Sequence, residues 1–188
     1  RILETTRAFA LECLIAEEHG RDCNAKLAQT MAKICILAAR RRDSPWMWQE
    51  MANARYALSW AVGTPGQGET AVTIATYTSV IAAASGAIAE GVENLRRVQP
   101  FVSDSMPTEL VARYWHWLGR LGVEGRLPST ECIEALTRAD AMFSALAEPR
   151  HRHGCQRHLA EAHLRAGHVE QAELHLAIAR SLEQAACT

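Results

Sequence analysis

The sequence predicts an all-α protein, a superhelix of antiparallel helix hairpins, and two observations carry this prediction. The stretch Leu159–Ala179 spaces its large and small residues as two helices joined by a bend at Gly167. Antiparallel helices approach closely only where the facing side chains are small, and Ala160 and Ala172 form such a pair. No segment alternates strictly between apolar and polar residues, so no β-strand is predicted.

Two earlier segments repeat this spacing. Gly119 and Ala135 are the small residues of one pair of helices; in the other, Ser79 is the small residue of the first helix and Gly91 follows the bend at Gly86. The spacing resembles that of tetratricopeptide repeats, in which a Gly or Ala on the first helix lies against an Ala on the second. The resemblance implies a right-handed superhelix, and about three repeats are the minimum for a stable stack. The implied repeats cover approximately residues 69–104, 108–148 and 150–186.

Apolar residues recurring at intervals of three and four predict about nine helices along the chain. The first, Ile2–Gly20, is expected to end in a left-handed cap at Gly20. The second is capped by Asp22 or Asn24 and closes at Arg40–Arg42, where the helix dipole favours cations. The others are expected at about Trp46–Ala61, Glu69–Ala84, Ala87–Gln99, Thr108–Leu121, Ser129–Ala147, Arg150–Ala166 and Val169–Ala185.

A turn rich in Gly and Pro, Gly63–Gly68, divides the predicted helices into two groups. Residues 1–62 are interpreted as N-terminal helices that join a preceding domain to the repeats, and residues 67–188 as the tetratricopeptide-like repeats. The chain opens at Arg1 inside a predicted helix. We therefore expect a fragment of a longer protein.

Composition narrows the class of protein. The chain has 188 residues, 48% of them hydrophobic, which is enough to bury a sizeable core. A net charge of −1 gives no basic field for binding nucleic acid, and no apolar run approaches the roughly 20 residues of a membrane span. The six cysteines lack paired spacing, so we expect reduced thiols and a cytoplasmic location, with no contact to nucleic acid or membrane.

One loop has the spacing of a phosphate-binding loop. In Gly63–Thr70, however, Glu69 takes the place of the lysine, and a carboxylate there would repel phosphates. The preceding segment also has the pattern of a helix and not of a buried strand, so an ordinary interhelical loop is favoured. No nucleophile stands beside a base in a recognisable motif, so we predict no catalytic residue and no enzymatic activity.

Potential metal ligands cluster on the first helix of the last hairpin. They are His151, His153, Cys155, His158 and His163. Structural zinc sites pair two knuckles, and only one half is visible here, so a polar helix start is favoured over a metal site and no cofactor is predicted. The tryptophans lie at helical spacing, which favours core packing over an aromatic ligand box.

Three segments resemble one family in the same order along the chain. The first is the opening R-I-L-E-T-T-R-A-F-A-L-E-C-L, and the third is Glu90–Gly91 after Gly86. The second comprises Glu50, Asn53, Arg55, Ala57, Leu58, Trp60 and Ala61, which match an E-x-x-N-x-R-x-A-L-x-W-A helix. They resemble the C-terminal helical-repeat region of bacterial signal-transducing NTPase (STAND) transcriptional regulators, AfsR-like, of the winged-helix or LuxR type. The resemblance implies that the nucleotide site and the DNA-binding element precede this piece.

Stacked repeats of this type build a concave wall from their first helices, and this wall is the predicted binding surface. Its outward positions are expected to hold Thr73 and Thr76, then Arg113, His116 and Arg120, then Arg157, Glu161 and Arg165, and either Trp117 or Tyr114 is also free to face the groove. Guanidinium groups bind carboxylates bidentately, so the wall is suited to a small-molecule or acidic-peptide effector. A solvated charged face is the alternative interpretation, and from the residues alone it is favoured over a ligand site. The predicted groove residues are Arg113, His116, Trp117, Arg120, Arg157 and Glu161.

The expected function is therefore that of a non-enzymatic sensor or regulatory module of a bacterial transcriptional regulator. Its partner would be an effector, another protein or the regulator's own NTPase domain. A general protein-interaction scaffold without a sensing role is the alternative, and the residues encoded before Arg1 would distinguish the two.

Overall fold

The computed structural model describes residues 19–41 and 44–185, and every regular element in these ranges is helical. The elements are α1 His19–Arg41, α2 Ser44–Val62, α3 Gly68–Ser85, α4 Ile88–Val98, a 3-10 helix Gln99–Phe101, α5 Thr108–Glu124, α6 Ser129–Ala145, α7 Pro149–Arg165 and α8 Val169–Ala185. No β-strand occurs within these ranges, so the all-α prediction is confirmed there. Among the helices described, none combines the length and the apolar content that a bilayer crossing requires.

The helices pack in consecutive pairs. We call the first helix of each pair (α1, α3, α5 and α7) an A helix and the second (α2, α4, α6 and α8) a B helix. Each A helix packs on the B helix that follows it, and from α3 onwards it also contacts the B helix and the A helix before it. The pairs therefore form one continuous stack, in which the A helices lie side by side.

Small residues let the paired helices approach, as predicted. Ala160 of α7 and Ala172 of α8 are 2% and 1% exposed, and Gly167 between them has a φ of 80°, which favours glycine. A Cβ atom on Gly119 of α5 would lie 2.5 Å from the Cγ atom of Leu136 on α6. Only glycine fits at that crossing, and the residue that it meets is Leu136 and not the predicted Ala135.

The notch between α3 and α4 involves a different residue from the one expected. A Cβ atom on Gly91 would lie 2.8 Å from the Cβ atom of Ala82 and 2.7 Å from the Cδ1 atom of Leu121. Ser79 is buried, but its hydroxyl donates to the Ala75 carbonyl oxygen within α3. Ala82, three residues further along, is therefore the small side chain that Gly91 meets.

The hydrophobic core crosses the turn that separates the two predicted groups of helices. One cluster of buried side chains includes Met31 of α1, Leu58 of α2, Ile74 of α3 and Tyr114 of α5. The Tyr114 hydroxyl donates to the Leu95 carbonyl oxygen, 3.2 Å away, so the one buried tyrosine of this cluster has a partner. The turn at residues 63–67 thus connects two pairs that share a core, and the assignment of residues 1–62 to a joining segment stays a prediction.

Two boundaries differ from the expected ones. Gly20 was predicted as a left-handed cap but lies in the first turn of α1, where Asp22 complements the helix dipole and favours a helix start over an end. Helix α5 continues to Glu124, which shortens the long bend expected at residues 122–129 to residues 125–128, where Arg126 has a φ of 59°. The predicted helix Ile2–Gly20 falls almost entirely outside the described residues.

Candidate ligand-binding wall on the A helices

Side chains from three A helices meet around Tyr77 of α3. The Arg113 guanidinium of α5 lies 5.8 Å from the centre of the Tyr77 ring. Burial raises the pKa of Tyr77, and the charges of Arg113, Glu109 and Arg40 act on it as well. Arg40 belongs to α1, and the A helices α1, α3, α5 and α7 pack side by side, so we call the surface that they share the A-helix wall.

On α5 the wall carries an arginine stacked on a tryptophan. The Arg120 guanidinium carbon lies 4.7 Å from the centre of the Trp117 ring, in the range of a cation–π contact. The Nε atom of Arg120 is buried and has no hydrogen-bond acceptor among the described residues, because the Glu124 carboxylate oxygen is 3.6 Å away. A buried donor without an acceptor costs about 1–3 kcal/mol. An anionic oxygen that reached the Nε atom, or a small shift of the Glu124 carboxylate, would recover that energy.

Next to this pair, α7 contributes His158, Arg157 and Glu161. Burial, followed by the charges of Arg120 and Arg157, lowers the pKa of His158 to about 4. Arg157 is exposed and forms no ion pair or hydrogen bond within the described part of the chain, whereas the Glu161 carboxylate lies 3.8 Å from the His158 Nδ1 atom. Arg120 and Arg157 thus create a positive field at one imidazole.

His116 was predicted to point outward and instead faces α7. Its Nδ1 atom lies 3.3 Å from the Cys155 Sγ atom, and its ring centre is 5.7 Å from that of His158. A Cβ atom on Gly154 would lie 3.2 Å from the His116 ring, so the glycine makes room for the imidazole. Burial, followed by the charge of His158, lowers the pKa of His116 to about 3. His116 is therefore neutral at physiological pH and supports the wall from beneath.

Three of the other residues that were expected to face outward have structural roles. Thr73 and Thr76 of α3 are 6% and 0% exposed, which corrects the prediction that they line the groove; they are buried because α1 and α5 pack on both sides of α3. Arg165 donates hydrogen bonds to the carbonyl oxygens of Val123 and Leu127, the latter at 2.9 Å. It fastens the end of α7 to the loop between α5 and α6.

Arg113 lies on the wall, but its charge is already compensated. Its Nε and Nη2 atoms lie 3.0 and 2.9 Å from the same Glu109 carboxylate oxygen. Two arginines of the wall therefore keep charge that a ligand could use. The charge of Arg120 is only partly compensated, and Arg157 is free of partners among the described residues. His158 also lies at the wall. The sequence pattern placed it among the potential metal ligands, and no spacing signal distinguishes the two roles.

The histidine and cysteine cluster does not assemble into a metal site. Burial raises the pKa of Cys155 to about 12, which keeps its thiol protonated. His151 stacks on Phe143 with ring centres 4.7 Å apart, and the Nδ1 atom of His163 lies 3.4 Å from that of His168. Among the described residues, no group of three or more His, Cys, Asp or Glu side chains is placed to hold a metal ion.

The Gly63–Thr70 loop connects two helices. It follows α2 and runs into the first turn of α3, where Glu69 is exposed. The helix in place of a strand and the carboxylate in place of a lysine agree with an interhelical loop.

Two of the segments that carry the family resemblance touch each other. The Arg55 guanidinium of α2 donates to both carboxylate oxygens of Glu90 on α4, at 2.5 and 3.0 Å. In the same α2 segment, Asn53 donates to the Glu50 carboxylate at 2.8 Å, and Ala57 and Leu58 are buried. The matched residues thus form one structural unit. Comparison of the chain with protein-family models, curated proteins and solved structures gives no significant match.

Proposed function

We propose that the chain is a non-enzymatic helical-repeat module that binds an acidic group on the A-helix wall and regulates a bacterial transcriptional regulator. The acidic group belongs to a small-molecule effector or to a carboxylate-bearing segment of a protein, which includes the regulator's own NTPase domain. The single observation that supports this most is the buried Arg120 Nε atom, which has no hydrogen-bond acceptor among the described residues.

The chemistry of the wall favours carboxylates. A guanidinium offers paired donors that match the two oxygens of a carboxylate, and stacking on Trp117 holds the Arg120 group in one orientation. Arg157 supplies a second cation, and its exposed side chain is free to follow the ligand. Burial is the main cause of the depressed pKa of His158, and the charges of Arg120 and Arg157 add to it, which places a positive potential here that a bound anion would neutralise.

Regulation requires that the ligand discriminate between two states. A ligand with equal affinity for two packings of the repeats against a neighbouring domain shifts neither population. The wall is formed by adjacent A helices of different pairs, so a ligand that bridges Arg120 of α5 and Arg157 of α7 binds best to one relative position of those helices. A neighbouring domain that packs on the stack would respond to that change in helix position.

The proposal is tested by calorimetric titration of the chain at low salt with a capped hexaglutamate peptide and, for comparison, a capped hexaglutamine peptide. We expect the glutamate peptide alone to bind, and the double substitution Arg120→Ala with Arg157→Ala to weaken it by about tenfold or more, which corresponds to about 1.4 kcal/mol. Arg180→Ala is the matched control, because Arg180 is exposed on the B helix α8. Equal binding of both peptides, or an unchanged affinity of the double variant, would refute the proposal.

A further inference from the structure

A cavity of about 190 Å³ lies away from the A-helix wall, between α2, α3 and α4. Small side chains leave this space open, among them Ala75, Ser79 and Ala87. Protein interiors are otherwise packed to crystal density, so a space of this size needs a reason. A cavity of about 150 Å³ is sufficient for one benzene ring. This one therefore has the volume of a single ring with a short substituent.

The rim of the cavity combines an exposed indole with a closed ion pair. Trp48 and Met51 of α2 line one side, and Trp48 is 45% exposed, unlike most large apolar side chains of the described residues. Arg55, one turn after Met51 on α2, and Glu90 of α4 also line the cavity and bind each other through two hydrogen bonds. Because these charges already compensate each other, the cavity presents no net charge to a ligand.

One uncommitted polar group lines the cavity. Asn94 of α4 is partly buried, and its side-chain amide forms no hydrogen bond within the described ranges, so it offers both a donor and an acceptor. The hydroxyls of Thr78 and Ser79 already donate to carbonyl oxygens of their own helix. Mostly apolar walls with a single placed amide are typical of small-molecule sites.

We propose that this cavity is a second binding site, which takes an uncharged, single-ring molecule with one hydroxyl or amide group. The ring fills the space beside Ala75 and Ala87 and covers Trp48, while the polar group bonds to Asn94. A charged molecule is excluded, because an anion would have to displace Glu90 from Arg55 and a cation would have to displace Arg55 from Glu90. The site is independent of the acidic-ligand wall, with which it shares no residue.

The test uses three fluorinated probes of one size and different charge: 4-fluorobenzyl alcohol, 4-fluorobenzoate and 4-fluorobenzylammonium. Fluorine NMR titration of the full chain is expected to show saturable binding of the alcohol, with a dissociation constant on the order of 1 mM, as expected for so few atoms. The benzoate and the ammonium compound are expected to bind at least about tenfold more weakly.

Two variants locate the bound alcohol. Ala87→Phe fills the cavity and is expected to abolish binding, whereas Ala89→Phe, at an exposed position of α4 that does not line the cavity, is expected to leave it unchanged. Trp48→Ala removes an exposed rim residue and is expected to weaken binding about fivefold or more without affecting the fold. The inference is overturned if the alcohol does not saturate, if a charged probe binds as well, or if Ala87→Phe binds like the unsubstituted chain.

Discussion

At the scale of single residues, the wall depends on what each charge already contacts. Four arginines were predicted to face outward, yet the structure gives them four different situations. Arg113 is paired with Glu109, Arg165 donates to two backbone carbonyls, Arg120 stacks on Trp117, and Arg157 is free within the described residues. Spacing along a helix places a residue on a face, but the neighbouring helix decides whether its charge is available.

Glu161 is the acidic residue of the wall, and its removal is a direct probe of the wall's charge. It is exposed and lies beside His158, close to the arginines that we propose as the anion site. We expect Glu161→Gln to strengthen binding of the hexaglutamate peptide about twofold to fivefold, because a repelling charge is lost. Calorimetry at low and high salt checks this, and the gain should shrink as salt screens the charges. A weaker affinity would show that Glu161 has another role.

Gly119, at the α5–α6 crossing, allows a second prediction at the scale of single residues. Alanine is better than glycine in a helix interior by about 1 kcal/mol, so propensity alone favours Gly119→Ala. The new Cβ atom would, however, clash with Leu136 and lie 3.1 Å from the Cys132 carbonyl oxygen, so we expect a net loss of about 1–3 kcal/mol in the free energy of unfolding. Urea unfolding measures the loss.

Gly63→Ala is the control for that substitution. Gly63 has a negative φ, and an added Cβ atom would meet only ordinary contacts at 3.7 Å. The free energy of unfolding of Gly63→Ala should stay within about 0.5 kcal/mol of that of the unsubstituted chain. If Gly119→Ala proves as stable as Gly63→Ala, the close approach of α5 and α6 is contradicted.

At the scale of helices, similar ion pairs recur between successive helix pairs of the stack. Arg55 of α2 binds Glu90 of α4, and Arg96 of α4 binds Glu131 of α6, so both pairs join successive B helices across 35 residues. The A helices are joined differently, through Tyr77, His116 and the aromatic contacts of the wall. Exposed ion pairs contribute little stability individually, so the role of these two is to align neighbouring helix pairs.

The Arg165 contact is a helix-scale feature that a substitution tests. Its guanidinium donates to Val123 and Leu127, which lie at the two sides of the loop between α5 and α6. We expect Arg165→Ala to lower the free energy of unfolding by about 1.5–3 kcal/mol, as for hydrogen bonds from a charged donor. Arg180→Ala, on the exposed part of α8, should change it by less than about 0.5 kcal/mol. Equal effects in urea unfolding would contradict a specific role for Arg165.

How much the sequence predicts also differs between helices. The pairs α5–α6 and α7–α8 were predicted from Gly119, Ala160 and Ala172, because small residues at a crossing leave a local signature. The α3–α4 notch was assigned to Ser79 instead of Ala82, since α3 is buried on nearly all sides and its periodicity is weak. The cavity beside Trp48 and the inward turn of His116 depend on three helices at once, and no local pattern encodes them.

At the scale of the whole molecule, buried histidines link stability to pH. The pKa values of His116 and His158 in the folded chain are about 3 and about 4, below the value near 6.5 of an unfolded histidine. The unfolded state therefore binds more protons in acid, so the stabilisation is complete above about pH 6.5 and is lost progressively as the pH falls towards the folded-state values. Each histidine contributes at most about 2 kcal/mol by about pH 5, so we expect the free energy of unfolding to drop by about 2–4 kcal/mol between about pH 8 and about pH 5.

Urea unfolding at these two pH values, followed by circular dichroism, measures that drop. His116→Phe removes one of the two groups and should reduce the drop, whereas His153→Gln on α7 is the comparison for a histidine lost elsewhere in the chain. The same drop in His116→Phe as in the unsubstituted chain would contradict the burial of a neutral imidazole at this position.

The central claim is that the A-helix wall binds acidic groups at Arg120 and Arg157, and His158 reports on it directly. Burial is the larger cause of the low pKa of His158, and the two guanidinium charges lower that pKa as well, so a bound carboxylate should raise it by opposing those charges. The most direct measurement is an NMR titration of the His158 imidazole against pH, with and without saturating hexaglutamate peptide. The account predicts a higher pKa in the complex; an unchanged pKa, with the peptide demonstrably bound, would contradict it.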